Sequence, residues 1–323
     1  MSSFSQQPIS LRTYNSGAGD LEIIRMARQA EEGNFHRLRE YLSRTRASGD
    51  WQDRIYILER IAPKVSIDAL DAACAAEPEA ADLFVTRCAY YAELAKTMRG
   101  NGTADTVSGA HFQNSADCVK AALSDMSRST EIDDQDPTAY TLVLKPLTIF
   151  SQVDLQRGIF AKATAIAPDL VPAHFALVSA LSKRWGGSHE ASLSFARNAM
   201  TTAPPGSDMA ACLFWAHTLV RTHFLHFDDD LRSARRYASE PGVASELNAA
   251  LDTWLVPSFV VHRSSIPFLV KASEWYRDVK DEERLNRVIA FTGEMSPATS
   301  PKRGNCSSKF GGGMLGWIFG GRR

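Results

Sequence analysis

Apolar side chains recur along almost the whole chain at i, i+3, i+4 and i+7, which is the spacing of one face of an α-helix. Alternation with a period of two, the mark of a half-buried strand, is nearly absent. Leu21, Ile24, Met26 and Ala27 form the first apolar stripe, and Gly33 then breaks it. The pattern therefore predicts an all-α fold.

A helix, a tight turn and a second helix recur as a unit. Leu38, Tyr41 and Leu42 form the stripe of the second helix in the first pair. The same periodicity predicts helices near residues 66–76, 79–99, 113–130, 137–150, 152–166, 170–184, 188–202, 206–225, 228–239, 243–256, 265–278 and 281–293. A chain of 323 residues, 44% of them hydrophobic, can bury a core as one long array or as two ordinary domains.

Prolines divide this array at intervals. Pro137, Pro168 and Pro205 each stand shortly before an apolar helix, where the missing N–H of proline would be unpaired in any case. Alanines precede the later prolines, and a period of about 34 residues with this pattern is similar to a tetratricopeptide (TPR) repeat. We expect a TPR-like array of helical hairpins, forming a right-handed solenoid over residues 20–295. It is flanked by a flexible segment, 1–19, and a flexible glycine-rich tail, 296–323.

Charge and cysteine content exclude some classes of protein. The net charge of −1 at pH 7 argues against nucleic-acid binding. The charge is uneven, because the 5 basic residues after position 296 have no acidic neighbour there, whereas the rest of the chain has 31 basic and 37 acidic residues. The 5 cysteines are an odd number without a C-x-x-C pair, which argues against a disulfide framework and a zinc ribbon.

Targeting signals are not evident. The first residues lack the apolar segment of a signal peptide, and no stretch of about 18 apolar residues exists to span a bilayer. We therefore expect a cytoplasmic protein.

A break in the helical pattern at Trp185-Gly186-Gly187-Ser188 has two interpretations. Glycine past a helix end adopts a left-handed cap without strain, and Ser188 is a good N-cap, which together predict a sharp corner between two helices. The alternative is a phosphate-cradling loop at a helix N-terminus. The segment lacks both the lysine spacing of a P-loop and a preceding strand, so the corner is the favoured prediction.

Four segments resemble an uncharacterised bacterial family of TPR-like helical proteins. They are "MRGNGTADTVSGAHF" (98–112), "DPTAY", "APDLVPAH" and "RWGGSHEASLSFAR". The family carries an Arg-Gly…Ala-x-x-Val segment and a later Trp-Gly-Gly-Ser turn. The matching residues here are Arg99, Gly100, Ala104, Val107, Trp185, Gly186, Gly187 and Ser188. The resemblance covers roughly residues 20–295 and implies a fold, but no activity.

Arg184 and Arg221 fall at equivalent repeat positions at the ends of successive helices. Each arginine either pairs with the dipole of its own helix or forms a basic rung in the concave groove of the array. Such a rung would hold an acidic or carboxylate-bearing peptide. The residues assigned to this groove are His174, Arg184, Trp185, Trp215, His217 and Arg221. The alternative for His174 and His217 is that they lie in the hydrophobic core.

The segment "HTLVRTHFLHFDDD" (217–230) is the densest polar cluster. His223 and His226 share a helix face, and a metal-dependent enzyme would place its ion on this pair. No H-E-x-x-H pattern is present, and the aspartates are better explained as the cap of the next helix. The sequence predicts no metal site and no cofactor.

The tail combines a short cluster of apolar residues with two terminal arginines. Its candidate docking residues are Met314, Leu315, Trp317, Ile318, Phe319, Arg322 and Arg323. Three interpretations of the tail remain open. It is a disordered chain end, it docks on an anionic membrane surface or in a hydrophobic groove, or it folds back on the acidic body as an autoinhibitory segment.

No assembled catalytic group is recognisable, since the chain has neither a G-x-S-x-G elbow nor a cysteine in a known local signature. The sequence therefore predicts a non-enzymatic scaffold or adaptor that binds a protein or peptide partner on its concave face. The alternatives are a peripheral membrane protein tethered by the tail and, third, a metal-dependent enzyme.

Overall fold

The computed structural model describes residues 20–100 and 108–292, which form fifteen α-helices and three short 3₁₀ helices, with no strand among them. The all-α prediction is confirmed for this part of the chain. In chain order the helices are α1 (Leu21–Glu31), α2 (His36–Ser48), α3 (Trp51–Ile61), α4 (Ile67–Ala76), α5 (Ala81–Arg99), α6 (Gly109–Ile132), α7 (Thr138–Thr148), α8 (Val153–Ile166), α9 (Val171–Ala180), α10 (His189–Thr202), α11 (Ala211–His226), α12 (Leu231–Ala238), α13 (Pro241–Trp254), α14 (Ile266–Val279) and α15 (Glu282–Thr292).

Local sequence signals set the ends of many helices. The Asp50 carboxylate accepts the backbone N–H of Asp53 at 3.1 Å and so caps α3. Pro172, Pro241 and Pro267 stand in the first turns of α9, α13 and α14, where no intrahelical acceptor is needed. Short polar and proline-containing turns therefore separate the helices much as the sequence predicted.

Helices that follow one another in the chain pack side by side. The most extensive contact joins α5 and α6, and α7–α8, α10–α11 and α14–α15 are further neighbouring pairs. Their apolar faces form two principal clusters, one drawn mainly from α1–α9 and the other mainly from α9–α15. α9 contributes Ala173 and Ala176 to the first cluster and Phe175 and Val178 to the second. It is therefore buried nearly all round, as a helix without a polar face must be.

Contacts between distant parts of the chain close the array. The Arg263 guanidinium, between α13 and α14, donates to Asp53 at 2.7 and 3.0 Å and to Asp20 at 2.8 Å. A solenoid whose repeats touch only their neighbours would have no such contacts. These hydrogen bonds therefore link the first helices directly to the segment before α14.

A second long-range link runs through the buried carboxylate of Asp208. It accepts hydrogen bonds from the Ser265 hydroxyl at 2.6 Å, the Gln52 amide at 2.8 Å and the Trp254 indole at 2.9 Å. Burial raises the pKa of Asp208, and the three donors oppose that shift. One side chain thereby joins α3, α13 and the start of α14.

The first half of the core contains a buried ion pair. Arg54 on α3 is 0% exposed and donates to Asp136 at 2.8 Å and to the Thr138 hydroxyl at 3.2 Å. Asp82 at the start of α5 also pairs with this guanidinium. α3 was absent from the sequence prediction, and it is the helix that connects α2, α5 and α7 through this arginine.

Candidate functional site

The segment after α9 is a sharp corner. A 3₁₀ turn, Lys183–Trp185, leads to Gly186, whose φ of 90° and ψ of 0° are left-handed. The Ser188 hydroxyl then accepts the backbone N–H of Ala191 at 3.0 Å and caps α10. These are the cap roles that the sequence predicted for the glycine and the serine, so the corner is confirmed.

Gly187 serves this corner in a different way from its neighbour. Its N–H donates to the Ser182 carbonyl at 3.1 Å, and the Ser188 N–H donates to the Leu181 carbonyl at 3.0 Å. A Cβ at Gly187 would lie 2.1 Å from the Leu181 carbonyl oxygen, so only glycine fits here. Because these two amides are used inside the corner, they are not turned outward as those of a phosphate-cradling loop are.

The corner places Trp185 among side chains from two other segments. The guanidinium carbon of Arg99, the last residue of α5, lies 5.6 Å from the centroid of the Trp185 ring, and that of Arg184 lies 5.3 Å from it. Arg184 is also 5.5 Å from the ring of Phe227, which directly follows α11. We call Arg99, Arg184, Trp185 and Phe227 the arginine–tryptophan cluster. It brings together the Arg99-Gly100 segment and the corner at Trp185-Gly186-Gly187-Ser188.

Positive charge accumulates at this cluster. Burial lowers the pKa of Arg99, which is 9% exposed. Burial and then the positive charge of Arg99 lower the pKa of Arg184. Arginine stays protonated at neutral pH in spite of such shifts. Within residues 20–100 and 108–292, Arg184 contacts two aromatic rings but makes no ion pair. A partly buried cation therefore lies beside a second one, and no described carboxylate neutralises Arg184.

Histidine rings extend the cluster on the side of Phe227. His223 stacks on the Phe227 ring with centroids 5.0 Å apart, and its Nε2 lies 3.6 Å from Asp228 Oδ1. His189, the first residue of α10, meets His223 edge to face at 5.1 Å. His189 Nε2 and His223 Nδ1 are buried and have no hydrogen-bond partner in the part of the chain described here.

Burial and nearby positive charge keep these histidines neutral. Burial is the main cause that lowers the pKa of His189, followed by His223 and Lys183. The pKa of His223 is lowered by burial and then by Lys183, and that of His226 by burial and then by Arg184. A neutral imidazole can donate or accept a hydrogen bond, according to its tautomer. The region thus combines fixed positive charges with adaptable polar rings.

The two candidate metal ligands, His223 and His226, do not form a coordination shell with other described side chains. Across residues 20–100 and 108–292, no group of three or more His, Cys, Asp or Glu side chains is placed to hold a metal ion. His223 faces Asp228 and Phe227 instead. Asp230 accepts the backbone N–H of Ser233 at 2.9 Å and caps α12, which confirms the role predicted for the aspartate run.

Two of the residues predicted to line a groove lie in the helical core. His174 is 7% exposed, and its Nδ1 lies 3.0 Å from the Leu170 carbonyl oxygen. Trp215 is 8% exposed and donates its indole N–H to the Ser179 hydroxyl at 2.8 Å. Their polar atoms are satisfied within the chain, as core residues require.

His217 also has internal partners. Its Nδ1 lies 2.7 Å from the Tyr237 hydroxyl and its Nε2 lies 3.1 Å from Glu246 Oε2. Arg197 binds the same carboxylate at 2.6 and 3.0 Å. Hydrogen bonds from His217 and then Arg197 lower the pKa of Glu246 to about 2. This network braces α10, α11, α12 and α13 against one another.

The two arginines predicted as equivalent rungs have different surroundings. Arg221 on α11 forms an ion pair with Asp278 of α14. Arg184 belongs to the arginine–tryptophan cluster, where its partners are the rings of Trp185 and Phe227. Of the pair, only Arg184 keeps a charge that no described acidic side chain balances.

Several predictions concern residues outside the described ranges. These are Ala104 and Val107 of the family motif and the tail residues Met314, Leu315, Trp317, Ile318, Phe319, Arg322 and Arg323. Within the described ranges, no helix has both the length and the apolar content needed to cross a membrane.

Sequence reasoning assigned Arg184 and Trp185 to a binding surface but did not place Arg99, Phe227 or His189 beside them. The motif around Arg99 was the only available signal for that residue. Nothing in the sequence marks Phe227, because a single aromatic residue after a helix is unremarkable.

The fold and this site define the chain as an all-helical protein with a cationic and aromatic cluster at the meeting point of three helix ends. Comparisons with protein-family models, curated proteins and solved structures gave no match. The functional conclusion therefore rests on the chemistry of the cluster.

Proposed function

We propose that the protein is a non-enzymatic module, built as an array of TPR-like hairpins, that binds a protein or peptide partner. The partner contributes an acidic segment, and one anionic side chain of that segment docks on the arginine–tryptophan cluster. In this proposal the binding surface lies at the hairpin corner that contains Arg184 and Trp185, and the buried residues His174, Trp215 and His217 support the scaffold.

The observation that carries the proposal is the state of Arg184. The Arg184 guanidinium is partly removed from water, and no carboxylate in the described ranges pairs with it; such burial is unfavourable, and the positive charge of Arg99 beside it adds repulsion. An anion from a partner would remove both costs at once. Electrostatic complementarity of this kind gives an interface its specificity.

The aromatic rings support the same conclusion. Trp185 and Phe227 contact the guanidinium of Arg184 and restrict its orientation before any partner arrives. Preorganisation reduces the entropy that binding must overcome. Phe227 is 40% exposed, so the cluster is open to a partner from its side.

Peptide binding tests the proposal directly. Labelled peptides rich in Asp and Glu, and matched peptides with Asn and Gln, are titrated against the full-length protein while fluorescence anisotropy is recorded. We expect the acidic peptides alone to bind, with affinity that falls as salt rises. Arg184→Gln should weaken binding by at least about tenfold, because a hydrogen bond between charged groups contributes about 1.5–3 kcal/mol.

Arg221→Gln is the matched control, since Arg221 already has Asp278 as its partner. It should leave peptide affinity within about twofold, the scale of an indirect effect at a surface pair. Equal binding by acidic and neutral peptides, or unchanged binding in Arg184→Gln, would refute the proposal. Pull-downs with the full-length protein and with a chain ending at Met295 then show whether the natural partner is held by the helices or by the tail.

A further inference from the structure

We infer that the partner's acidic segment continues from Arg184 onto the exposed surface of α12. There a second acidic group docks beside Arg232 and Arg235, and an apolar side chain covers Leu231. We call Leu231, Arg232 and Arg235 the α12 face. This inference rests on the proposed function, because it extends the surface on which the same partner docks.

Positive charge is concentrated on α12. Three of its 8 residues are exposed arginines, Arg232, Arg235 and Arg236. Within residues 20–100 and 108–292, none of the three forms an ion pair, not even with the aspartates at 228–230 directly before the helix. Hydrogen bonds with Ser233, and to a smaller extent the charge of Arg236, lower the pKa of Asp230. Arg236 is therefore partly balanced, whereas Arg232 and Arg235 have no described carboxylate as a partner.

The stability of the helix does not account for Arg232. This arginine is the second residue of α12, in the turn where the helix dipole is positive, so a cation there is unfavourable. Arg235 and Arg236 follow it by three and four residues and add repulsion between like charges. Arg235 lies in the last turn, where the dipole favours a cation. The dipole thus explains Arg235 but opposes Arg232, and an anionic group of a partner would offset that cost.

The α12 face begins one tight turn of the chain after the arginine–tryptophan cluster. The Asp230 N–H donates to the Phe224 carbonyl at 2.8 Å and closes the connection between α11 and α12. Phe227, whose ring contacts Arg184, is 40% exposed, and Leu231 is 51% exposed. A cation, two exposed apolar side chains and then further cations therefore follow one another along this side of the protein.

This order predicts acidic, apolar and again acidic residues in the partner. α12 is about 12 Å long, which about four residues of an extended peptide cover. A peptide can place each carboxylate on an arginine and avoid the aspartates at 228–230, whereas a continuous anionic membrane surface would meet them. The chain's own tail has 5 basic and no acidic residues after position 296, so like charge opposes it as the occupant.

The test uses one series of peptides on the full-length protein. The parent peptide has a pair of glutamates at each end and a neutral spacer with a leucine at its centre. Spacers of about four to eight residues reach about 13–26 Å when extended. Matched peptides carry glutamine at one end, or serine in place of the leucine. We expect the peptide with two acidic ends to bind about three- to tenfold more tightly than either peptide with one, as fluorescence anisotropy measures.

Variants locate the second contact. Arg232→Gln/Arg235→Gln should weaken binding of the peptide with two acidic ends by about three- to tenfold, mainly through slower association in stopped-flow measurements. Leu231→Ser should weaken it by about fivefold, because a half-exposed leucine would no longer be covered. Arg25→Gln/Arg157→Gln is the matched control, since it removes two exposed arginines from α1 and α8 and gives the same net charge. It should leave affinity within about twofold.

Thermal unfolding separates docking from a structural role. Arg232→Gln alone should leave the melting temperature unchanged or raise it, because it removes a cation from the first turn of α12 and its repulsion with Arg235. The same variant should weaken peptide binding. A variant that loses stability together with binding would contradict the assignment, because Arg232 would then support the helix.

The outcomes separate this inference from the proposed function. Binding that is weakened by Arg184→Gln but unchanged in the α12 variants would overturn the inference and leave the proposed function. Binding that depends on α12 alone would overturn both, because the acidic segment would not then reach Arg184. Failure of every acidic peptide would also overturn both. Anionic phospholipid vesicles that bind the parent protein but not Arg232→Gln/Arg235→Gln, without any peptide binding, would assign the α12 face to a membrane surface instead.

Discussion

Replacing Gly187 by alanine tests the geometry that holds the cluster together. The new Cβ would lie 2.1 Å from the Leu181 carbonyl oxygen and 2.6 Å from its carbon, both of which are backbone atoms. Leu181 must move away by about an ångström, and forced overpacking of this kind costs about 1–3 kcal/mol. The movement also weakens the hydrogen bond from Ser188 to Leu181, which contributes about 1 kcal/mol. We expect Gly187→Ala to lower the free energy of unfolding by about 2–4 kcal/mol.

Two other glycines provide controls of graded size. Gly186 has open space around its missing Cβ but a φ of 90°, so alanine there should cost about 1–2 kcal/mol from backbone conformation alone. Gly158 lies inside α8 with open space, so alanine should stabilise the protein by about 0.5–1 kcal/mol.

Urea unfolding followed by circular dichroism and by tryptophan fluorescence supplies the free energies, and coincident transitions justify a two-state treatment. The order of stability should be Gly158→Ala, the parent protein, Gly186→Ala and then Gly187→Ala. A Gly187→Ala protein within about 0.5 kcal/mol of the parent would show that the close approach is not required.

Three further predictions concern polar side chains that link helices at three separate places. Asp136→Ala should lower the free energy of unfolding by about 3 kcal/mol in urea titrations, because Arg54 is fully buried and a second carboxylate only partly compensates it. Asp208→Asn should cost about 1–3 kcal/mol and alter the near-ultraviolet circular dichroism, because one amide oxygen cannot replace a carboxylate for three donors. Glu246 has a folded-state pKa of about 2, below the ordinary value of 4.5, so its stabilising contribution is complete above pH 4.5 and is lost as pH falls toward 2. Glu246→Gln should therefore flatten the dependence of the melting temperature on pH over that window, and an unchanged slope would contradict the role of its hydrogen bond with His217.

The helical class, most element positions and the corner could be predicted because they depend on local signals. Apolar periodicity, glycine and serine caps and prolines act within a few residues, and each has a direct conformational effect. α3 was missed for an equally local reason. Asp53 and Arg54 point into the protein and interrupt its apolar stripe, so charged residues that are paired inside the fold hide the helical pattern.

The cluster itself could not be predicted, because its members come from three separate helix ends. The length and direction of α5 set the position of Arg99. The corner after α9 sets the position of Arg184, and the end of α11 sets that of Phe227. Their proximity depends on how these helices pack, and the burial of α9 between two core clusters fixes that packing. A single sequence carries no local signal for such a meeting.

The proximity of these helix ends bears on the two interpretations of Arg184, namely that it is stabilised by the dipole of its helix or that it binds an anionic group. Cations near helix C-termini are stabilised by the helix dipole, and the cluster lies at the C-terminal ends of α5, α9 and α11. A dipole contributes about 0.3–1 kcal/mol to an exposed cation, whereas the cost of removing an ion from water amounts to several kcal/mol. Arg99 and Arg184 also repel each other, which the dipoles do not cancel. The dipoles therefore contribute less than the burial of the Arg184 guanidinium costs, and no acidic side chain in the described ranges balances that charge. This difference in magnitude supports the proposal that an anionic group of a partner docks beside Arg184.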